Sequence, residues 1–263
     1  MQDFQSISTE FLTKFNDITY YDEPHKYFHN EKEYISVTTL IHKYEEEFDE
    51  EYWSNIKSEQ FDLPQYKIKR AWNFINKKGT TKGSIIHDYA ENKLLNKVFK
   101  YPKQEIINEF GFDPIKIEYE KTKNHVDNFI KVSKNKLIPV KTELVVYDKE
   151  SMVAGMADLL FYNVKEKEFQ IWDHKTNKAF SKISDRYLLG TLGTLDDSDL
   201  EIYSLQLALY KYIIEKNTSI KLGKSYIVWY SHNNENFEII QTKNRDFFAK
   251  EIIKERIQLL KAA

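Results

Sequence analysis

The segment 143–175 constrains the fold of this chain more than any other, because it consists of three apolar runs separated by short polar turns. The runs, at 143–147, 153–162 and 168–174, are rich in Val, Ile, Tyr, Phe and Trp. Short runs of these residues, bounded by Lys, Glu, Asn and Asp, are typical of β-strands. The segment therefore predicts a three-stranded meander at the centre of the molecule.

Two carboxylates interrupt these apolar runs. Asp158 lies inside the second run, and Asp173 directly follows an Ile-Trp pair in the third. Burial of an unpaired carboxylate costs free energy, and a divalent metal ion is a natural partner for two of them because hard cations take oxygen ligands. Since residues i and i+2 of a strand point to the same face, Asp173 and Lys175 should share a face that Asp158 reaches from the neighbouring strand.

A purely structural interpretation of the same residues is a turn or edge position for Asp158 and a surface ion pair between Asp173 and Lys175. The chain has 41 acidic and 39 basic residues among 263, so an acid-x-base triplet should occur about six times by chance. The triplet alone is therefore weak. A functional site is favoured because both acids lie in apolar runs, and these two runs follow each other in the chain as the strands of a hairpin.

Asp158, followed by the triplet Asp173, His174 and Lys175, resembles the core motif of the PD-(D/E)xK nuclease superfamily, in particular its RecB-like exonuclease branch with phage and mitochondrial members. Four further motifs of the family have matching positions, in the family's order. They are a helical Gly-x-x-x-His-x-x-x-Glu segment (Gly83, His87, Glu91), an acid on the preceding strand (Glu143), a Gln-x-x-x-Tyr helix (Gln206, Tyr210) and an early Ser-Val-Thr-Thr segment (residues 36–39). The joint match is far more specific than any single motif.

The chain departs from the family pattern at two points. Ala157 precedes Asp158, where Pro is common in this branch, and the chain contains no Cys. Iron–sulfur members of the branch use four Cys ligands, so this chain cannot carry their cluster.

The order of predicted elements, together with the resemblance, implies an α/β fold with a mixed central β-sheet flanked by helices. It corresponds to a restriction-endonuclease-like PD-(D/E)xK core with an N-terminal β-meander and helical decorations. We predict a single nuclease domain over residues 1–263, with a meander and helix decoration over 1–60, the catalytic core over 80–242 and a C-terminal helix over 243–263.

The resemblance also implies which residues act. The ligands of Mg²⁺ or Mn²⁺ would be His87, Glu143, Asp158, Asp173 and the backbone carbonyl of His174. The catalytic set would be Asp158, Asp173, Lys175, Glu143, Gln206 and Tyr210. Lys175 would orient the attacking water or stabilise the pentavalent phosphate, because neighbouring carboxylates oppose the loss of its proton. Gln206 and Tyr210 would position DNA beside the site.

Several of these side chains also have a simpler interpretation. A lone helical His is usually a hydrogen-bonded core or surface group, which is the alternative for His87. Glu91, four residues later on the same helical face, could orient His87 without contacting the metal. Tyr210 could belong to the core, with Gln206 buried or at an edge. A loop is predicted over 79–83, followed by a helix over 84–97.

Six residues are predicted to contact DNA: Ser36, Thr38, Thr39, Lys82, Lys178 and Arg186. The first three stand at the start of a predicted helix, where Ser or Thr most often caps the helix and where free N–H groups also favour a phosphate. Lys82 ends a stretch in which basic residues alternate with aromatic ones, which suits a single-strand channel. For Lys178 and Arg186 the alternative is a position that simply faces water.

The net charge of −2 excludes a globally basic surface, so a DNA site must be a local patch. The absence of Cys excludes disulfides and thiolate metal sites and fits a reducing compartment. The N-terminus lacks a basic-then-apolar signal pattern, and no run approaches the ~20 apolar residues of a membrane span. We therefore expect a soluble protein in the cytoplasm of a bacterium or phage-infected host, with no membrane partner.

These features predict a divalent-metal-dependent DNA exonuclease that leaves 5′-phosphate products, in DNA recombination, repair or the processing of replication ends. The alternatives are a restriction-like or structure-specific endonuclease, a nucleic-acid-binding module without catalysis, and a cytosolic scaffold with chance motifs. Ring-shaped oligomers and helicase or recombination partners occur among relatives, and no residue pattern here selects among them.

Overall fold

A computed structural model of the chain describes residues 13–21 and 26–262. The first 12 residues of the predicted 1–60 decoration, together with 22–25 and 263, lie outside the described residues. The strands are β1 (Thr19–Tyr21), β2 (Lys26–His29), β3 (Lys32–Ser36), β4 (Leu137–Asp148), β5 (Val153–Asn163), β6 (Glu168–Lys175), β7 (Tyr226–Trp229) and β8 (Glu238–Gln241).

The helices lie before, between and after the central strands. They are α1 (Val37–His42), α2 (Glu50–Phe61), α3 (Gln65–Leu94), α4 (Lys103–Phe110), α5 (Lys116–Ser133), α6 (Asp199–Asn217) and α7 (Asp246–Ala262), with a 3₁₀ turn at Gly190–Leu192. Within the described ranges, no helix combines the length and the apolar character that crossing a membrane requires.

The strands form one mixed sheet in which β5 has the most neighbours. β4 pairs antiparallel with β5 along its whole length. The other edge of β5 is shared by two strands, because β6 pairs antiparallel with 159–163 and β3 pairs in parallel with 153–154. β7 then lies parallel to β6, and β8 lies antiparallel to β7. The N-terminal meander β1–β3 is therefore continuous with the central sheet.

Two apolar layers cover the two faces of the sheet. Leu160 of β5 packs in the first layer with Leu209 of α6, and α1 and α7 contribute to the same layer. Phe161, the next residue of β5, packs in the second layer with Ile86 of α3 and Phe129 of α5. This alternation is what a strand buried on both faces requires. The predicted mixed α/β sheet flanked by helices is confirmed.

The predicted three-stranded meander is also confirmed, with one difference at its beginning. β4 starts at Leu137, six residues before the predicted run. The added residues include Pro139, and the register of β4 against β5 shifts between Pro139 and Lys141. A proline cannot donate to a ladder and is tolerated at such irregularities, so the apolar pattern alone did not mark the start of the strand.

The predicted loop over 79–83 is wrong, because α3 is continuous from Gln65 to Leu94. Thr80 Oγ1 donates to the carbonyl of Lys77 at 3.0 Å and Thr81 Oγ1 donates to the same carbonyl at 2.8 Å. Such bonds let threonine remain in a helix interior. The two glycines of the segment lower helix propensity by about 1 kcal/mol each, which the helix tolerates.

Gly155 of β5 sets how closely α6 approaches the sheet. A Cβ added at Gly155 would lie 2.5 Å from Tyr210 Cε1 and 3.2 Å from Val37 Cγ2. The absence of a side chain at this position therefore lets Tyr210, and with it the middle of α6, pack directly on the strand.

Replacement Gly155→Ala should destabilise the protein by about 1–3 kcal/mol, because the added methyl group overlaps a buried ring that has little room to move. Urea denaturation of the native protein and the variant measures the difference in unfolding free energy.

Gly79→Ala is the matched control. Gly79 lies inside α3, and a methyl group added there would meet no neighbouring atom within 4 Å. This substitution should raise the unfolding free energy by about 0.5–1 kcal/mol, because alanine favours a helix. Equal effects of the two substitutions would contradict the close packing of α6 at Gly155.

Candidate active site

The sheet forks at the point where the two predicted aspartates lie. The antiparallel ladder of β5 and β6 ends at Leu159 and Trp172, so the next positions in register are Asp158 and Asp173. Beyond the ladder, Asp158 Oδ2 accepts a hydrogen bond from the backbone N–H of His174 at 2.8 Å. The side chain thus takes the place of a ladder partner at the fork.

Glu143 extends this pair into a row of three carboxylates across β4, β5 and β6. The register pairs Thr142 with Leu159 and Leu144 with Ala157, which places Glu143 opposite Asp158. Glu143 has a positive φ of 46°, a left-handed conformation that costs a non-glycine residue on the order of 1 kcal/mol or more. Such backbone strain is common at functional sites.

His87 brings α3 to the same place. Its Nδ1 lies 3.3 Å from Asp158 Oδ2, and its Nε2 donates to the backbone carbonyl of His174 at 3.0 Å. Ligand atoms of His87, Glu143 and Asp158 all lie within 4.8 Å of one another. The fold therefore brings together three of the predicted ligands, two from adjacent strands and one from a helix that precedes them by more than 40 residues.

Asp173 lies outside that 4.8 Å group and faces Lys175 instead. Lys175 Nζ lies 2.7 Å from Asp173 Oδ2, as the alternation along the strand predicts. The contact lacks hydrogen-bond geometry, and both oxygens of this buried carboxylate make no hydrogen bond within the described part of the chain. Asp173 Oδ2 is therefore held by the charge of Lys175 alone, and Oδ1 is a buried acceptor that a cation or a water molecule could use.

Burial and mutual repulsion raise the pKa values of two acids at the site. Burial, followed by the charges of Asp158 and Glu91, raises the pKa of Glu143 to about 9. Burial and the charge of Asp158 also raise the pKa of Asp173, which Lys175 opposes. A divalent cation would remove this repulsion and favour the ionised forms.

Lys175 stays protonated in this environment. Burial alone would lower its pKa, but the carboxylate of Asp173 reverses the effect and raises it above the ordinary value. Lys175 Nζ also donates to Gln206 Oε1 at 3.3 Å and lies 4.4 Å from the ring centre of Tyr203. A cation held in this way suits charge stabilisation, whereas a general base needs a lowered pKa.

Gln206 and Tyr210 connect this lysine to α6. Gln206 Nε2 donates to the Tyr210 hydroxyl at 3.0 Å, and both side chains are buried. Residues four apart share a face of a helix, so this contact follows from their spacing. α6 begins after Ser198, whose Oγ accepts from the N–H of Glu201, and this cap fixes where the face starts.

Tyr203 is the residue of this group that the sequence analysis missed. It lies three residues before Gln206 on α6, and burial raises its pKa to about 12, so it carries no charge at neutral pH. Its spacing from Gln206 and Tyr210 places it on the same helical face, and this spacing could have predicted its presence at the site.

The His174 side chain points away from the carboxylates. Its ring packs 5.2 Å from the ring of Tyr230 and 6.2 Å from that of Phe129, in the second apolar layer. Burial and the nearby His87 lower the pKa of His174 to about 3, so the imidazole is neutral. Its predicted ligand atom, the backbone carbonyl, accepts the hydrogen bond from His87.

Glu91 does not contact His87 through a hydrogen bond in the described structure. Its carboxylate accepts a hydrogen bond from Thr142 Oγ1 at 2.8 Å, and Thr142 is next to Glu143 in the chain. Its effect on the site is electrostatic, because its charge contributes to the raised pKa of Glu143.

The residues predicted to contact DNA lie in three environments. Ser36 caps α1, where its Oγ accepts from the N–H of Thr39 at 2.9 Å, which confirms the capping role and leaves the phosphate contact a prediction. Lys82 is buried, 3.3 Å from Glu118. Lys178 is exposed and Arg186 pairs with Asp197 at 3.0 Å. Thr38 and Thr39 are exposed.

Two cavities adjoin Lys175. The basic cavity, of about 930 Å³, is lined by residues that include Phe74, Lys78, Lys82, Glu118 and Lys178. The acidic cavity, of about 520 Å³, is lined by residues that include Glu45, Glu46, Arg186, Asp197 and Asp199. Lys175, Tyr203 and His42 line both.

Comparisons with known proteins give distant likenesses. A crystal structure of a proposed exonuclease from Eubacterium rectale aligns with a TM-score of 0.40 and 13% identity, over 70% of this chain and 65% of that one. The crystal structure of SSO0001 aligns with a TM-score of 0.27 and 13% identity, over 69% of this chain and 87% of that one. Neither a scan against protein families nor a search of curated proteins gives a match.

The raised pKa of Glu143 predicts how stability depends on pH. Between the ordinary pKa of 4.5 and about 9, the folded protein holds a proton that the unfolded chain releases. Stability should therefore fall as pH rises through this interval, by at most ~1.4 kcal/mol per pH unit. Glu143→Gln removes the titrating group, so in EDTA the variant should be more stable than the native protein at pH 8 and similar to it at pH 5.

Urea denaturation at pH 5, 6.5 and 8 measures this dependence. Glu59→Gln, an exposed position on α2, is the control and should keep the native profile. If Glu143→Gln shifts the unfolding free energy equally at all three pH values, the proposed proton is absent.

Proposed function

We propose that this protein is a divalent-metal-dependent nuclease that hydrolyses phosphodiester bonds of DNA from an end and leaves 5′-phosphates. The observation that carries the proposal is the row of Glu143, Asp158 and Asp173 across three adjacent strands, with the Lys175 ammonium 2.7 Å from the last of them. Three acids in one row are unfavourable without a cation, and a lysine beside them supplies a fixed positive charge for a phosphate.

The donor atoms fit Mg²⁺ or Mn²⁺. Glu143, Asp158 and His87 would hold the ion, with Asp173 and the backbone carbonyl of His174 as further ligands. Carboxylate and carbonyl oxygens suit these two ions better than softer metals. When bound, the ion would act as a Lewis acid toward the phosphate and lower the pKa of a bound water.

Hydrolysis adds one water molecule across a P–O bond. The water oxygen bonds to phosphorus, the bond from phosphorus to O3′ breaks, and a proton from the water ends on O3′. Lys175 keeps its proton because its pKa is raised, so its contribution is to orient the water and stabilise the negative charge that develops on the phosphate. Gln206 and Tyr203 hold the ammonium in position.

A nuclease function explains the buried acids of this site better than a DNA-binding function without catalysis does. Such a module would have no use for buried acids whose oxygens make no hydrogen bond, as at Asp173. The resemblance of the motif set supports a role in DNA recombination, repair or end processing, with DNA as the partner.

Asp173→Asn and Lys175→Ala should each lower the rate of DNA hydrolysis by about 10²-fold or more, because one removes a metal ligand and the other a charge that acts on the transition state. The measurement is the release of labelled nucleotides from single- and double-stranded DNA in Mg²⁺ and in Mn²⁺. EDTA should abolish the activity of the native protein.

Lys165→Ala, in the exposed turn between β5 and β6, is the control and should retain the native rate. A closed circular DNA separates the two nuclease classes, because cutting it requires internal cleavage. Activity that survives both Asp173→Asn and Lys175→Ala would refute the proposed site.

A further inference from the structure

The basic and acidic cavities lie on two sides of Lys175, and we call the pair the trench, with the basic cavity as its larger arm and the acidic cavity as its smaller arm. Lys175, Tyr203 and His42 line both cavities, so these three residues stand between the two spaces. The lysine that would contact the phosphate is therefore at the junction, with about 930 Å³ on one side and about 520 Å³ on the other. A polymer that reaches Lys175 through one of these arms contacts the residues that line it.

The larger arm is positively charged. Besides Lys175, its lining contains three lysines, Lys78, Lys82 and Lys178, against one described carboxylate, Glu118. Glu118 lies 2.5 Å from Lys78 and 3.3 Å from Lys82, so its charge is already neutralised. Glu118 offsets one of these two lysines, and the exposed Lys178 adds a positive charge that can contact phosphate groups.

The mouth of the larger arm carries an exposed aromatic face. Phe74 is 39% exposed, and Ile75 beside it in the lining is 65% exposed. The Phe74 ring lies nearly parallel to that of Phe112, with centroids 6.3 Å apart and an interplanar angle of 18°. Aromatic rings next to lysines bind single-stranded nucleic acid, because bases stack on the rings while cations follow the phosphates.

The smaller arm has the opposite charge. Its lining contains four carboxylates, Glu45, Glu46, Asp197 and Asp199, against Arg186 apart from the shared Lys175. Arg186 pairs with Asp197 at 3.0 Å and Glu45 with His42 at 2.7 Å. The remaining negative charge repels a polyanion that would continue past Lys175, since like charges in a cleft with low-dielectric walls interact strongly.

We propose that a single strand of DNA occupies the larger arm, with its stacked bases on Phe74 and its end at Lys175, and that the smaller arm excludes further phosphates. This inference rests on the proposed nuclease function and deepens it. The charge difference between the arms restricts the protein to strand ends, because a strand that continued through the site would place phosphates among the carboxylates. The fragment released from the strand end at Lys175 is consequently short.

Binding tests the larger arm without any need for hydrolysis. In EDTA, fluorescence anisotropy should show that the native protein prefers a labelled single strand to the same sequence as a duplex. Phe74→Ala and Lys178→Glu should each weaken single-strand binding by about tenfold. Lys182→Glu is the matched control, because Lys182 is on the same loop as Lys178 but pairs with Glu238 outside both arms, and its affinity should stay within about twofold of the native value.

Strand length tests the smaller arm in the same assay. With single strands of increasing length, the native affinity should reach a plateau, whereas a Glu45→Gln, Glu46→Gln double variant should keep gaining affinity beyond that length. Glu47→Gln, an adjacent exposed acid that does not line the arm, should keep the native plateau. With Mg²⁺, the double variant should also release longer fragments.

The outcomes separate the two proposals. Native affinity in Phe74→Ala and Lys178→Glu, or an identical plateau in the double variant and the native protein, would overturn the assignment of the two arms. The expected binding pattern without any hydrolysis in Mg²⁺ or Mn²⁺ would uphold the arms and refute the nuclease function.

Discussion

Repulsion between carboxylates in one row across the sheet is the constraint on which this structure depends. Glu143, Asp158 and Asp173 occupy matching register positions on β4, β5 and β6, and burial together with this repulsion raises the pKa of Glu143 to about 9. A fold that keeps such a row has free energy to gain from a cation. Metal binding and phosphate chemistry are the uses that we propose for this arrangement.

The neighbouring strands and helices position the residues around this row of carboxylates. The ladder between β5 and β6 ends just before the two aspartates, so the carboxylates project into the fork of the sheet. α3 brings His87 to one side, while α6 brings Gln206 to Lys175 on the other. The approach of α6 depends on Gly155, where a side chain would overlap Tyr210. A small change in helix packing would therefore be felt at the site.

The charges around the row differ between the two sides of Lys175. The net charge of the whole chain is −2, yet the trench separates lysines from carboxylates on the two sides of Lys175. Local asymmetry of this kind steers a polyanion more effectively than the overall charge does. In the proposed function, this asymmetry would let a slightly acidic protein bind DNA on one side of Lys175 only.

Local periodicity determined much of this protein from the sequence alone: the three central strands, the shared face of Asp173 and Lys175, and the contact of Gln206 with Tyr210. These follow from spacings of two and four residues, which any strand or helix imposes. The resemblance placed His87 among the ligands, and only the tertiary structure decided the other long-range features: the fork, the positive φ of Glu143 and the two arms of the trench. They depend on register and on helix packing between distant segments, which no local pattern encodes.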